Sequence, residues 1–284
     1  MDQNKYFQVA AYQGRITEKS PHVSLEKVSD VMNIANNKGI DILCMPETYL
    51  QGSFTHAVDV LDYSIHLESR EFELLCERFR SFKNTTLLLG LNERAGDQFF
   101  NTVVAIEQGR CIGKYRKAYF DDDCYSLGRV FPVFEKRGVK YGIIICFDSW
   151  YREPAQITAL AGATMIFCPS FNRVRKDPHM LERLSKRNHF ITRAYDNQCW
   201  FICSDIIWDQ ENSDETCPGY ACVLDDNGSI MAVAPPYTET MLTYSIPITK
   251  LTNTARKKRL IGTPDLFDLV KEAYEQRIAR ETFT

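Results

Sequence analysis

Apolar residues recur along this chain with two alternating periods, short strand-like runs and longer helical stretches, and the order of the two predicts the architecture. Tyr6 to Gln13 reads as a strand. Ser20-Pro21 then supplies an N-cap residue followed by proline at the first helical position, and Gly39 closes a helix that runs to about Lys38. Asp41 to Met45 predicts the next strand, ending at Pro46-Glu47, and a helix follows over about Arg70 to Phe82. Thr85 to Leu91, Asn101 to Glu107, Cys111 to Arg116 and Lys140 to Cys146 are further strands. Beyond Cys146 the order is helix, strand, helix, strand: about Glu153 to Ala161, Met165 to Cys168, Met180 to Asp196 and Cys199 to Asp205. Gly219 to Leu224 and Ser229 to Val233 flank Asp226-Asn227-Gly228 as a hairpin, and Thr263-Pro264 opens a C-terminal helix. Helices alternating with strands, some of them neighbours in sequence, predict layered α/β with a mixed sheet. No Gly/Ser linker, composition shift or internal repeat divides the chain. One domain over 1–284 is expected, with about 252–284 as an extension that covers it or serves oligomerisation.

Composition removes several function classes. The 284 residues are 44% hydrophobic, ample for a packed core, and 34 Lys plus Arg nearly balance 37 Asp plus Glu for a net charge of −3. With no long block of one sign, neither a nucleic acid nor a membrane surface is an expected partner. The opening residues show no charged stretch followed by an apolar one, and no apolar run reaches membrane-spanning length, so neither a secretory signal nor a membrane anchor is expected. Of ten cysteines, Cys44, Cys146, Cys168 and Cys203 lie in or at the ends of apolar runs, which suits reduced thiols in a cytoplasmic protein. There is no CxxC pair and no helical His pair, so no metal is expected.

Three segments carry candidate chemistry: PETYLQG around Glu47, KYRKAYF around Lys117 and IIICFDSWYRE around Cys146. Each sets one reactive side chain at or just beyond an apolar strand. A carboxylate, an ammonium and a thiol are the parts needed for covalent hydrolysis of an amide or nitrile. At an elbow between strand and helix, Cys146 would be exposed as a thiolate, favoured by a nearby helix N-terminus, and the Phe147 N–H would face an oxyanion. Trp150 is a candidate wall of the substrate pocket, and Asn172 a candidate substrate contact in the loop after Pro169-Ser170. Asp148 reads as a residue that hydrogen-bonds its own turn. Arg173, Arg175 and Lys176 form either a solvated loop or a carboxylate site.

Taken together, Pro46-Glu47 with Gly52, Gly90-Leu91 before Asn101-Thr102, Tyr115-Arg116-Lys117, Ile145-Cys146-Phe147-Asp148 with Glu153, and Arg193-Ala194-Tyr195-Asp196-Asn197 resemble the nitrilase superfamily of carbon-nitrogen hydrolases over nearly the whole length. The resemblance implies a four-layer αββα sandwich that commonly dimerises or forms higher homo-oligomers. It implies Glu47 as general base, Lys117 as oxyanion stabiliser and Cys146 as nucleophile. The expected substrate is a small linear amide or N-carbamoyl compound, cleaved through a thioester without any cofactor. A true nitrilase, an acyl transferase and a non-hydrolytic metabolite-binding protein are the alternatives. Three departures bear on the site: Asp121-Asp122-Asp123 stands where many members carry a second pocket glutamate, Trp150-Tyr151-Arg152-Glu153 follows the cysteine where an Arg or other polar residue and then Pro-Glu are common, and Asp196 stands where Glu is usual.

Overall fold

A computed structural model describes residues 5–54, 56–120, 123–252 and 264–281. The chain divides into two units, Met1–Thr252 and Asn253–Thr284. In the first, the elements run β1 Tyr6–Arg15, α1 Pro21–Asn37, β2 Ile42–Cys44, α2 Ala57–Tyr63, β3 Ile65–His66, α3 Arg70–Glu77, β4 Thr86–Ala95, β5 Gln98–Glu107 and β6 Arg110–Arg116. They continue with β7 Val133–Lys136, β8 Val139–Ile143, a 3-10 helix Cys146–Trp150, α4 Arg152–Leu160, β9 Met165–Ser170, β10 Val174–Arg175, α5 Pro178–Ser185 and α6 Asn188–Asn197. The unit closes with β11 Trp200–Asp209, β12 Glu215–Cys217, β13 Cys222–Leu224, β14 Ile230–Val233, β15 Thr240–Pro247 and α7 Ile248–Leu251. The second unit contains α8, Pro264–Glu281. The expected cap at Thr263 lies outside the described residues.

The strands form one mixed, hydrogen-bonded path, β6-β5-β4-β2-β1-β11-β9-β8-β7. It folds back on itself at the β1/β11 junction. Residues 13–15 of β1 pair in parallel with 205–207 of β11, whereas residues 6–13 pair antiparallel with β15 and residues 201–203 of β11 pair with β13. Two half-sheets result, and the period-2 alternation of each strand divides the core between them. Val9, Ala11, Leu88, Val103 and Ile246 of the first half-sheet pack in one cluster with Tyr141, Ile143, Phe167 and Ile202 of the second. The opposite face of the first half-sheet, with Ala10, Leu43, Leu87, Leu89 and Val104, meets Val28, Met32, Phe72 and Phe79 from the helical side. Helices α4 and α6 cover the second half-sheet. This is the αββα layering. Each fully buried aliphatic or aromatic side chain contributes about 1.5–3 kcal/mol of transfer free energy.

Ion pairs tie the half-sheets at the end where β2 begins. Arg137 reaches both carboxylate oxygens of Asp41 at 2.9 and 2.8 Å, and Lys136 reaches Glu107 at 3.0 Å and the Thr86 hydroxyl at 2.9 Å. The other end, where β2, β8 and β9 finish, is left for loops.

Two sequence expectations are corrected. The helix expected over 180–196 is two helices, because Arg187 adopts a left-handed φ of 54° and its guanidinium bonds the carbonyls of Ser185 and Tyr220. The strand expected to reach Cys146 ends at Ile143. Proline at the start of α1 behaves as expected, but Ser20 makes no side-chain cap bond.

Candidate active site

Beyond β2 the chain turns sharply, with Thr48 at a left-handed φ of 45° and the Gly52 N–H donating to the Thr48 carbonyl at 2.9 Å. Strand β4 passes directly beneath this turn. A Cβ on Gly90 would lie 2.4 Å from the Pro46 oxygen and 2.6 Å from the Thr48 nitrogen, so only glycine admits the approach. The turn delivers Glu47, 5% exposed, into the interior. Its Oε1 accepts from Lys117 Nζ at 2.6 Å and Asn101 Nδ2 at 2.8 Å, and its Oε2 accepts from the Phe171 N–H at 2.9 Å. A carboxylate offers about four lone-pair positions. The three described donors leave one free.

Lys117 follows β6 and is held on both sides of its peptide: its N–H donates to the Asn101 carbonyl at 2.9 Å and its carbonyl accepts from Gly128 at 2.7 Å. Burial favours the neutral amine, but the charge and hydrogen bond of Glu47 outweigh it and hold the pKa above the usual lysine value. Lys117 is therefore an ammonium. Its Nζ lies 4.3 Å from the Phe120 ring centre, a cation–π contact.

Cys146 opens the 3-10 helix at a left-handed φ of 41°, a conformation non-glycine residues adopt only when their surroundings impose it. Its Sγ lies 3.8 Å from the Phe171 carbonyl oxygen and 4.0 Å from Asn172 Oδ1. Burial, reinforced by Glu47, pushes the thiol well above its ordinary pKa against the opposing pull of Lys117. The expectation of a resting thiolate is thus reversed. Desolvation outweighs a five-residue 3-10 turn as a source of positive field, and the thiol needs a base to react.

Two buried aspartates fix this arrangement. Asp148 Oδ1 accepts from the N–H groups of Ala118 and Tyr119 at 3.1 and 2.8 Å, and Oδ2 accepts from the Ile145 N–H at 2.9 Å and the Tyr115 hydroxyl at 2.7 Å. It caps its own turn, as expected, and also bolts that turn to the segment carrying Lys117. Asp205, in the middle of β11, accepts from the backbone N–H of Asn172 at 3.1 Å, from Asn172 Nδ2 at 2.9 Å and from the Tyr220 N–H at 2.8 Å. An ionised carboxylate only accepts, so Asn172 must turn its amide nitrogen towards Asp205 and its Oδ1 towards the thiol.

Burial raises both carboxyls from 3.8 to about 6, with the hydrogen bonds just described opposing it. The folded protein then binds protons that the unfolded chain has already released between pH 3.8 and about 6. Stability contributed by these groups is present at the acidic end of that window and lost as the pH rises through it, on the order of 2–3 kcal/mol for each. Urea melts from pH 4 to 7 are expected to show a shallower fall for Asp205→Asn than for the wild type; parallel curves would contradict the assignment.

Glu47, Lys117, Cys146, Phe147, Trp150 and Asn172, all picked out in the sequence, line one cavity of about 300 Å³. Phe54, Phe120 and Phe171 add aromatic walls, and Arg173 stands at its edge. Arg173 pairs with Glu215 at 3.2 Å, and Lys176 pairs with Asp209 at 3.0 Å away from the cavity, so the basic cluster does not act as a unit. Asp121 and Asp122 lie outside the described residues. Sequence reasoning gave no role to Asn101 or Asp205, although a carboxylate inside the apolar run Ile202-Cys-Ser-Asp-Ile-Ile207 was a visible signal. Among the described residues, no cluster of three or more His, Cys, Asp or Glu side chains is placed to hold a metal ion.

The model of one family, carbon-nitrogen hydrolase, matches residues 8–256. The chain belongs to the carbon-nitrogen hydrolase family. Curated members similar to it include a nitrilase of Pyrococcus abyssi, 22% identical over 89% of this chain and 93% of that one. An N-carbamoylputrescine amidase of Solanum tuberosum is 27% identical over 56% of this chain and 58% of its own length. Among solved structures, a carbon-nitrogen hydrolase from Helicobacter pylori G27 superposes with a TM-score of 0.80 at 19% identity, covering 92% of this chain and 96% of that one. This carbon-nitrogen hydrolase is therefore an enzyme of the α/β fold its sequence resembles. No helix among its described residues is long and apolar enough to cross a membrane.

Proposed function

We propose that the protein hydrolyses a small linear amide or N-carbamoyl compound through a thioester on Cys146. The observation that carries this reading is the buried Glu47–Lys117 pair on the same cavity as the Cys146 thiol. Glu47 takes the thiol proton through its remaining lone pair as Sγ forms its bond to the carbonyl carbon. The oxyanion of the tetrahedral intermediate is met by the Lys117 ammonium and the Phe147 N–H. The C–N bond then breaks, and the proton held by Glu47 leaves with ammonia or an amine. Glu47 next activates water, which cleaves the thioester and releases the acid. All groups in the cycle come from the protein, and the ten free thiols suit a reducing compartment such as the cytoplasm.

The orientation of Asn172 favours an amide over a nitrile. Asn172 Oδ1 and the Phe171 carbonyl present acceptors to the reacting centre. An amide or ureido NH2 supplies donors to them, whereas a nitrile nitrogen only accepts and leaves them unpaired. A site built for N–H groups rejects analogues that lack them. Asn172→Ala is expected to lower kcat/KM for a primary amide by about 10- to 100-fold, the worth of one such hydrogen bond, and to leave a nitrile of the same chain unchanged. Equal losses on both would remove this role. The overall reading is tested by intact-protein mass spectrometry with ammonia release across small amides, carbamoyl compounds and nitriles. A wild-type acyl adduct supports it, and turnover without passage through Cys146 overturns it.

A further inference from the structure

Trp150 and Leu184 line not only the catalytic cavity but a second one of about 320 Å³ on the far side of the indole. Ser149, Trp150, Arg183, Asn188, His189 and Arg193 surround it. These residues bring a concentration of positive charge and unused donors. The cavity sits at the start of α6, a ten-residue helix with no side-chain cap and no acidic residue in its first turn. Among the described residues no side chain compensates its leading N–H groups or the positive end of its dipole. Arg193 is 8% exposed, and while its Nη2 reaches Asp196 at 3.5 Å, its Nε is enclosed with no partner among the described residues. His189 Nε2 is likewise enclosed and unpartnered. Arg183 has no carboxylate partner among the described residues and lies 5.0 Å over the Trp150 ring, whose other stacking contact is His189 at 4.9 Å and 19°.

Burial first, and then the charges of Arg183, Arg193 and Arg187, depress the imidazole of His189 to about 4. At neutral pH it is uncharged and able to donate from Nε2. A polar group enclosed without a partner is costly to the fold, so two of them beside the Arg183 guanidinium, with Asp196 and Glu153 the only carboxylates that act on Arg193 among the described residues, constitute a site built for something that accepts. The something must be negative, small and rich in oxygen: guanidinium groups and helix N-termini both recognise carboxylate and phosphate.

We propose that this second cavity binds a small oxyanion, a carboxylate or phosphate group, against Arg183, Arg193, His189 and the N-terminus of α6. Because Trp150 is the partition, the oxyanion is either the acidic tail of the substrate itself or a separate metabolite whose binding sets the wall of the catalytic cavity. The proposal concerns binding and does not require the hydrolytic reading to hold.

Orthophosphate and succinate are to be titrated into the full-length protein at constant ionic strength, followed by calorimetry and by the imidazole NMR signals of His189. Saturable binding that moves the Nε2 resonance is expected, weakened about 10-fold or more by Arg183→Gln, the fold-change for losing a charge-assisted hydrogen bond. Arg183 is exposed, and an unchanged melting temperature would show that the variant folds. His189→Asn serves as the second variant and is expected to weaken binding without depending on Arg183. The absence of saturable binding, or equal binding by both variants and the wild type, would overturn the proposal. The two sources separate by kinetics. If the oxyanion belongs to the substrate, Arg183→Gln raises KM for an acid-tailed amide and not for its neutral analogue. If it is a separate metabolite, both amides respond alike to added orthophosphate or succinate, and Arg183→Gln abolishes that response.

Discussion

Cys146→Ala is expected to reduce turnover of every amide substrate by about 10⁴-fold or more, the scale set when a covalent nucleophile is removed. The fold should survive. The thiol makes only weak contacts, at 3.8 and 4.0 Å, and alanine faces the same left-handed φ that cysteine already tolerates. The catalytic loss is therefore to be read beside an unchanged melting temperature and the disappearance of any acyl adduct from the mass spectrum. Residual turnover within tenfold of the wild type would remove Cys146 from the mechanism.

The second large effect is expected from Lys117→Met. This change removes the ammonium 2.6 Å from a carboxylate that is 5% exposed, and leaves Glu47 buried with Asn101 and the Phe171 N–H as its remaining donors among the described residues. Breaking a buried pair by deleting one partner costs about 3–5 kcal/mol. Pairing it with Glu47→Gln removes the orphaned charge, so the double variant should recover most of the stability while remaining inactive. Denaturant melts of the two singles and the double form a cycle that isolates the coupling. Additive losses would mean that the two charges do not stabilise each other in the folded protein.

Much of this was legible in the sequence because apolar periodicity decides it. β1, β2, β4, β5, β9 and β11 all lie in runs that are buried nearly throughout, and short apolar runs bounded by turn residues are what a strand between two layers requires. β15 was missed for the complementary reason: its eight residues are mostly half-buried or exposed, and its pairing with β1 spans more than two hundred residues. Helices α5 and α6 were read as one because no glycine or proline separates them. Their break is imposed by the carbonyls that hold the Arg187 guanidinium, one of them 33 residues away. The reactive side chains were visible through the family resemblance, but the groups that orient them were not. Asp205 acts on Asn172 across 33 residues, and Asp148 ties together loops 30 apart. Whether Cys146 rests as thiol or thiolate depends on burial and on two charges from distant segments, which no local pattern records.

The junction of β1 with β11 has a further consequence for how the enzyme comes into being. Glu47 and Lys117 belong to one half-sheet and Cys146 to the other, and β11 is the strand that hydrogen-bonds to both β1 and β9. A nascent chain that has emerged only as far as residue 199 thus carries every reactive side chain, yet lacks the strand that brings the two halves together and the carboxylate that aims Asn172. On the proposed mechanism, a chain truncated before β11 is expected to lack hydrolytic activity, because the strand that joins the two halves of the site is missing.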